Sequence, residues 1–278
     1  MGENGAPRTA VISMKLGFIG CGNMASAIIK GVSKSALVSC SDIVVYDKLE
    51  EKSKSLSTEI GICVAKDENE VASSCDVVVL AVKPNVFEHV LPLIDGSLKQ
   101  KNPLIISIAA GKSISFIEGL LSYSPAVARV MPNINATVLE SVSAYCCNGN
   151  VSDEQEKFTA DFCSSFGKAV ALDEAYFAIY GVIGGCSPAY VYMFIDAMAR
   201  AAVKNGMPKD KALQVSAQAV LGSAKMVLEG GDSPWNLVDK VCSPGGTTIE
   251  GVLSLQRDGF EAAVANAVQA SFEKDKKL

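Results

Sequence analysis

The sequence predicts an α/β protein in which an N-terminal doubly wound parallel sheet is followed by a C-terminal all-helical dimerisation domain. Three observations carry this. Short β-branched apolar runs alternate with amphipathic stretches through the first half, and one early strand runs into a Gly-x-Gly-x-x-Ala turn. After about Asp173 the strand signal stops and long helical periodicity takes over. A chain of 278 residues, 49% hydrophobic and 20% charged, can bury the cores of two domains.

Taken in order, the strand candidates are Lys15–Gly20, Asp42–Asp47, Ile62–Ala65, Asp76–Val82, Leu104–Ile108 and Ala126–Val130, joined by short helices. Two further strands, Val138–Cys147 and Gly167–Leu172, are expected at the sheet edge with helix Asp153–Ser164 between them. The helical half reads as Ser187–Asn205, Lys209–Glu229, Thr248–Gln256 and Phe260–Lys277, punctuated by Gly206 with Pro208, Gly230-Gly231, and Pro244-Gly245-Gly246. The expected division is a flexible leader over 1–13, a dinucleotide-type domain over 14–171 and a helical domain over 172–278. Ala, Val, Met and Leu occupy several faces of the last helices, more than those helices can cover for one another, so a homodimer through them is the simplest closed solution.

Bulk properties narrow the function classes. A formal charge of −5 and a pI near 5.1 provide no broad basic footprint for a nucleic-acid backbone. Mean hydropathy is high at +0.27, yet no uninterrupted apolar span of about 18 residues is read; the best candidate, Pro188–Val203, carries Asp196 and Arg200 at helical spacing and suits an interface helix. The leader lacks the charged start and apolar stretch of a secretory signal, and Met14 resembles a second start. Nine cysteines without a CxxC pair, and one histidine, speak against a structural metal site. The expected setting is the cytoplasm, with free thiols and no metal.

Leu16–Ala25 is a strand running into Gly20-Cys21-Gly22-Asn23-Met24-Ala25 and then a helix. Gly20 permits the tight turn, Gly22 lets the backbone approach a pyrophosphate, and Ala25 lets the helix pack close to the sheet; the amides at the helix start face the phosphates. Cys21, Asn23 and Met24 belong to the same loop. This Rossmann-like fingerprint predicts NADP or NAD as cofactor. Asp47, about 20 residues beyond the glycines, stands where an acid holds the adenine ribose, favouring NADH, while Lys48 argues the other way; Asp47 could instead merely cap the next helix. The loops Ala81-Val82-Lys83-Pro84 and Ala109-Ala110-Gly111 follow strand ends and should line the cofactor, the second nearer the nicotinamide, unless either is an ordinary turn. His89 is expected to cap or pack within the helix starting at Pro84.

Cys242-Ser243-Pro244-Gly245-Gly246-Thr247-Thr248-Ile249-Glu250 is the most informative stretch. Thr247 and Glu250 have capping-box spacing, the amides of Gly246, Thr247 and Thr248 would point outward for a carboxylate, and the Thr248 hydroxyl would stay available. Alone, it could be a glycine-rich turn into a helix.

In sequence with GFIGCGNMA, AVKP, SIAAG, Val130–Asn133, Ser187–Tyr190 and Ala219–Met226, this segment resembles the signature of pyrroline-5-carboxylate reductases, over Met14 to the C-terminus. The resemblance implies hydride transfer from NAD(P)H to the imine carbon of 1-pyrroline-5-carboxylate, giving L-proline. It places the substrate carboxylate against Ser243, Gly245, Gly246 and Thr247, and makes Thr248, facing the ring nitrogen, the catalytic residue. An iminium accepts hydride without a strong acid, so such a site mainly positions two planar groups.

Two departures from the family stand out. Gly184-Gly185-Cys186-Ser187-Pro188 lacks a serine hydroxyl, and a family asparagine near the adenosine ribose aligns with Glu68, with Asn69 adjacent. Glu68 and Asp47 beside a 2′-phosphate would make NADH better tolerated than is usual in the family. The rival β-hydroxyacid dehydrogenases use a Lys with an Asn four residues on in the helical half, a pairing missing after Gly167. A non-catalytic nucleotide sensor on the same fold is the other rival.

Overall fold

The computed structural model describes residues 14–276; the leader over 1–13 and the last two residues lie outside the described residues. One eight-stranded sheet runs in the order β3-β2-β1-β4-β5-β6-β7-β8. Its strands are β1 (Leu16–Ile19), β2 (Ile43–Tyr46), β3 (Cys63–Val64), β4 (Val77–Leu80), β5 (Leu104–Ser107), β6 (Ala126–Met131), β7 (Ser141–Cys147) and β8 (Gly167–Ala171). All neighbours are parallel except β6 and β7, with Leu16 opposite both Ile43 and Val77 at the centre. The chain order reverses direction between β1 and β4, which opens a crevice at their carboxyl ends.

The crossovers are α1 (Asn23–Ser35), α2 (Glu50–Ile60), α3 (Glu68–Ser74), α4 (Phe87–Lys101), the single turn α5 (Ile114–Glu118) and α6 (Asp153–Ser164). β1, β4 and β5 are buried along their whole length because helices cover both faces of the sheet. One cluster joins Phe18 and Ile28 to Phe158, Phe162 and Phe166 of the α6 side; the other joins Val71 of α3 to Phe87, Leu91 and Ile94 of α4. The predicted edge strands and α6 are present, α6 starting at a capping box in which Ser152 and Gln155 bond reciprocally. The β7 strand begins later than Val138 because a 3₁₀ turn over Ile134–Val138 ends in Leu139 at φ 63°.

A second compact unit begins at Cys186. The sheet ends at Ala171, where the sequence division was placed, but 174–185 packs with the first unit: Phe177 is buried, Tyr180 donates to the Val142 carbonyl, and Asn133 donates to the Gly184 carbonyl. This segment holds α7 (Phe177–Tyr180) and a π-helical turn, Gly181–Cys186.

The second unit contains α8 (Ser187–Lys204), α9 (Lys209–Gly230), α10 (Pro234–Val241), α11 (Thr247–Arg257) and α12 (Phe260–Asp275). Tyr190 of α8 bonds Ser271 of α12, and Phe194 lies 6.0 Å from Phe260. Within one chain almost nothing in this unit is buried: Pro188, Ala199, Ala212 and Ser216 in α8 and α9, and no residue of α10, α11 or α12. Helix α10 has no counterpart among the predicted helices. The sequence reading of no membrane-length apolar span also changes, because the π turn joins its neighbours into one helical run, Glu174–Lys204, long and apolar enough by length and composition alone to cross a membrane. Asp196 and Arg200 pair on that run.

Candidate functional site

The fingerprint loop is shaped by two glycines with different jobs. Gly20 has φ 105°, and a Cβ there would sit 2.7 Å from the Ala81 carbonyl oxygen, so any other residue strains the turn and forces the backbone to shift. Gly22, the N-cap of α1, is extended, and a Cβ on it would meet nothing within 4 Å, because that side is an open cavity. Ala25, in the first turn of α1, is buried.

The cavity, about 700 Å³, lies at the carboxyl ends of β1, β2 and β4 and is lined by Gly20, Gly22, Asp47, Lys48, Glu68, Ala81, Val82 and Lys83 from the predicted set. Tyr46, Lys52, Asn85, Val86, His89 and Val90 line it as well, although the sequence reading assigned none of them to the cofactor. Cys21 and Asn23 instead line a neighbouring cavity of about 460 Å³ between α1 and α2. Met24 and Pro84 line neither, nor do Ala109, Ala110 and Gly111, which follow β5 at the same end of the sheet.

Asp47 ties the loop to the end of β2. One carboxylate oxygen accepts from the Cys21 amide at 2.7 Å, the other from the Leu49 amide at 2.8 Å, and Gly20 donates to the Tyr46 carbonyl at 2.7 Å. Asp47 is therefore not a helix cap, since the N-cap of α2 is Leu49 and no side chain caps it; Asp47 holds the fingerprint turn. Each oxygen keeps further acceptor capacity, and Asp47 lines the cavity. Glu68 opens α3 inside the cavity, whereas Asn69 accepts from Ser97 of α4 at 2.8 Å and is spent on helix packing. Burial, then the charges of Glu68, Asp67 and Asp47, push the Tyr46 hydroxyl up, a sign of how acidic this end is. Burial and the Asp47 carboxylate push the Cys21 thiol up to about 12, so it stays protonated and is no nucleophile.

His89 departs from expectation. Pro84 does open a 3₁₀ turn leading into α4, but His89 neither caps nor packs within that helix; it is exposed and lines the cavity, because α4 buries Phe87 and Leu91 on the opposite face.

In the second unit, Cys242 caps the end of α10 and Ser243–Gly246 forms a turn closed by the Gly246 amide donating to the Ser243 carbonyl at 3.0 Å. Gly245 sits at φ 67°, and a Cβ on Gly246 would come 2.4 Å from Ser243 Oγ. Two expectations fail here. The predicted capping box is not formed: Gly246 is the N-cap, Thr247 is already the first helical residue, and no side chain caps the helix. The Gly246 amide is also consumed within the turn, so the outward amides at the entrance of α11 are those of Thr247, Thr248 and Ile249. The physical cause is the left-handed Gly245, which brings the chain into the helix one residue early. Ser243, Thr247 and Thr248 are exposed.

At the junction segment, a Cβ on Gly184 would lie 2.8 Å from the Tyr180 ring. The missing serine is thus matched by a tyrosine that fills its space. Among the described residues no group of His, Cys, Asp and Glu is arranged to hold a metal ion.

Two family models match this chain. Residues 174–278 match the model described as pyrroline-5-carboxylate reductase dimerisation, and residues 15–111 the one described as NADP oxidoreductase, coenzyme F420-dependent. Pyrroline-5-carboxylate reductase of Escherichia coli K12 is 44% identical over 95% of this chain and 98% of its own length. The enzyme of that name from Aquifex aeolicus is 38% identical over 96% and 98%. The crystal structure of Plasmodium falciparum pyrroline carboxylate reductase with NADP bound superimposes with a TM-score of 0.85 at 32% identity, covering 96% of this chain and 99% of that one.

Proposed function

The chain belongs to the pyrroline-5-carboxylate reductase family, and on that premise we propose how its residues carry out NAD(P)H-dependent reduction of 1-pyrroline-5-carboxylate to L-proline. The observation that carries the reading is the pair of prepared surfaces, an open dinucleotide-sized cavity beneath Gly22 and an amide-lined helix entrance at Thr247–Ile249.

The residues fit a dinucleotide. Gly22 and the first amides of α1 suit a pyrophosphate, and Asp47 and Glu68 suit ribose hydroxyls. Bound there, the reduced nicotinamide supplies a hydride. The imine carbon accepts it, the C=N bond becomes C–N, the protonated ring nitrogen keeps its proton, and the coenzyme leaves oxidised. In the second unit, the Thr247 and Thr248 amides and the Ser243 hydroxyl hold the substrate carboxylate, with Gly245 and Gly246 keeping the turn tight, while the Thr248 hydroxyl faces the ring nitrogen. No strong acid is required, which agrees with the weakly acidic hydroxyls at this entrance.

The assembly is a homo-oligomer built on dimers through the helical unit, in keeping with the exposed apolar faces of α8 to α12. Nine unpaired cysteines suit the reducing cytoplasm. The acidic adenosine end makes NADH a better partner here than elsewhere in the family.

Absorbance at the reduced-coenzyme band tests this. Either coenzyme is consumed only once pyrroline-5-carboxylate is added; binding without consumption would overturn the function. A kcat/KM for NADPH more than about tenfold above that for NADH would overturn the coenzyme clause.

A further inference from the structure

Lys52 is the third residue of α2 and lines both cavities that flank the fingerprint loop. Two nearby lysines are engaged elsewhere: Lys54 pairs with Glu50 at 2.8 Å, and Lys30, across the second cavity, pairs with Glu59 at 2.7 Å. No carboxylate lies within ion-pair distance of Lys52 among the described residues. Its charge nevertheless reaches the loop, where it opposes the burial and the Asp47 charge that push the Cys21 thiol up. Around it stand Asp47 and Glu68 in the first cavity, Glu51 and Glu59 in the second, and Lys48, which also lines the first.

This mixture suits a choice between two ligands. A ribose 2′-hydroxyl is satisfied by carboxylates; a 2′-phosphate monoester, carrying nearly two negative charges, is repelled by them and must find a cation. Lys48 lies in the connection after β2, whereas Lys52 is carried on a formed helical turn and borders both sides of the loop. We infer that Lys52 is the specificity-determining residue for the coenzyme, the cation that meets the 2′-phosphate of NADPH against the opposing carboxylates of Asp47 and Glu68. The inference deepens the coenzyme reading above and rests on it.

The test is steady-state kinetics of Lys52→Met, Lys48→Met and Gly22→Val with both coenzymes, alongside calorimetric binding of 2′,5′-ADP and AMP to the full chain. Lys52→Met is expected to lower kcat/KM for NADPH at least about fivefold while NADH stays within about twofold, and to weaken 2′,5′-ADP but not AMP. Added salt should raise the NADPH KM of the parent protein more than that of Lys52→Met. Equal losses with both coenzymes would assign Lys52 to a phosphate the two coenzymes share; no loss, or a loss confined to Lys48→Met, would also overturn the inference. Gly22→Val separates the two levels: if it binds both coenzymes like the parent, the cavity reading itself fails, whatever Lys52 does.

Discussion

The two compact units of this chain solve the problem of stability in opposite ways. The first buries a doubly covered sheet and fixes its loops by sterics, whereas the second leaves Met193 73% and Leu228 82% exposed and buries no residue of its last three helices. A unit with so little internal core cannot hold its shape on propensity alone. The first unit takes its rigidity from its own core, whereas the second exposes apolar faces of the kind a dimerisation domain buries on association.

The sharpest way to break that contrast is a charge in the exposed apolar face. Leu228→Asp should raise the dimer dissociation constant by at least about 100-fold, since an isologous contact loses two buried leucines at ~1.5–3 kcal/mol each. Sedimentation equilibrium would read it, and thermal unfolding should shift to lower temperature at a given protein concentration. An unchanged assembly would mean that this part of α9 faces solvent.

Next in size are two neighbouring glycines with different tasks. Gly20→Ala should cost about 2–3 kcal/mol of stability, from positive φ and the approach to the Ala81 carbonyl, read from denaturant midpoints. Gly22→Val should leave folding nearly unchanged and weaken both coenzymes at least about tenfold, by filling the space a pyrophosphate needs. If both substitutions act on stability alone, the loop is only a turn.

Much of this was legible in the sequence, and the failures have physical causes. Alternation of apolar runs located the strands because each buried parallel strand is short and continuous, and the helix read over Asp153–Ser164 has those bounds in α6. Helix α10 escaped because glycine breakers stand on both sides of its short span, although Ser233 caps it and Pro234 is its first residue. The capping box was misread because spacing cannot report the left-handed Gly245 that moves the helix start. Lys52, Val86, His89 and Val90 join the cavity from helix sides, and their orientation depends on how α2 and α4 lie on the sheet. Asn69 sits beside Glu68 in sequence, yet only packing against Ser97 shows that it turns away.

Two smaller effects sharpen the comparison. Thr248→Ala should lower kcat by about tenfold or more while coenzyme affinity stays within about twofold, because the hydroxyl is proposed to act on the substrate ring and not on the dinucleotide. Unchanged kcat/KM for the imine would remove Thr248 from the mechanism. Alkylation at neutral pH should label exposed Cys63 readily and leave Cys21 untouched, its thiol held protonated by burial and by Asp47. Rapid labelling of Cys21 with loss of coenzyme binding would show the loop to be open.

The most direct test is a crystal structure with coenzyme and a proline analogue bound. The analogue's carboxylate should lie within about 3 Å of the Thr247 and Thr248 amides, its ring nitrogen toward the Thr248 hydroxyl. An analogue seated away from the entrance of α11, with the 243–248 turn empty, would contradict the account.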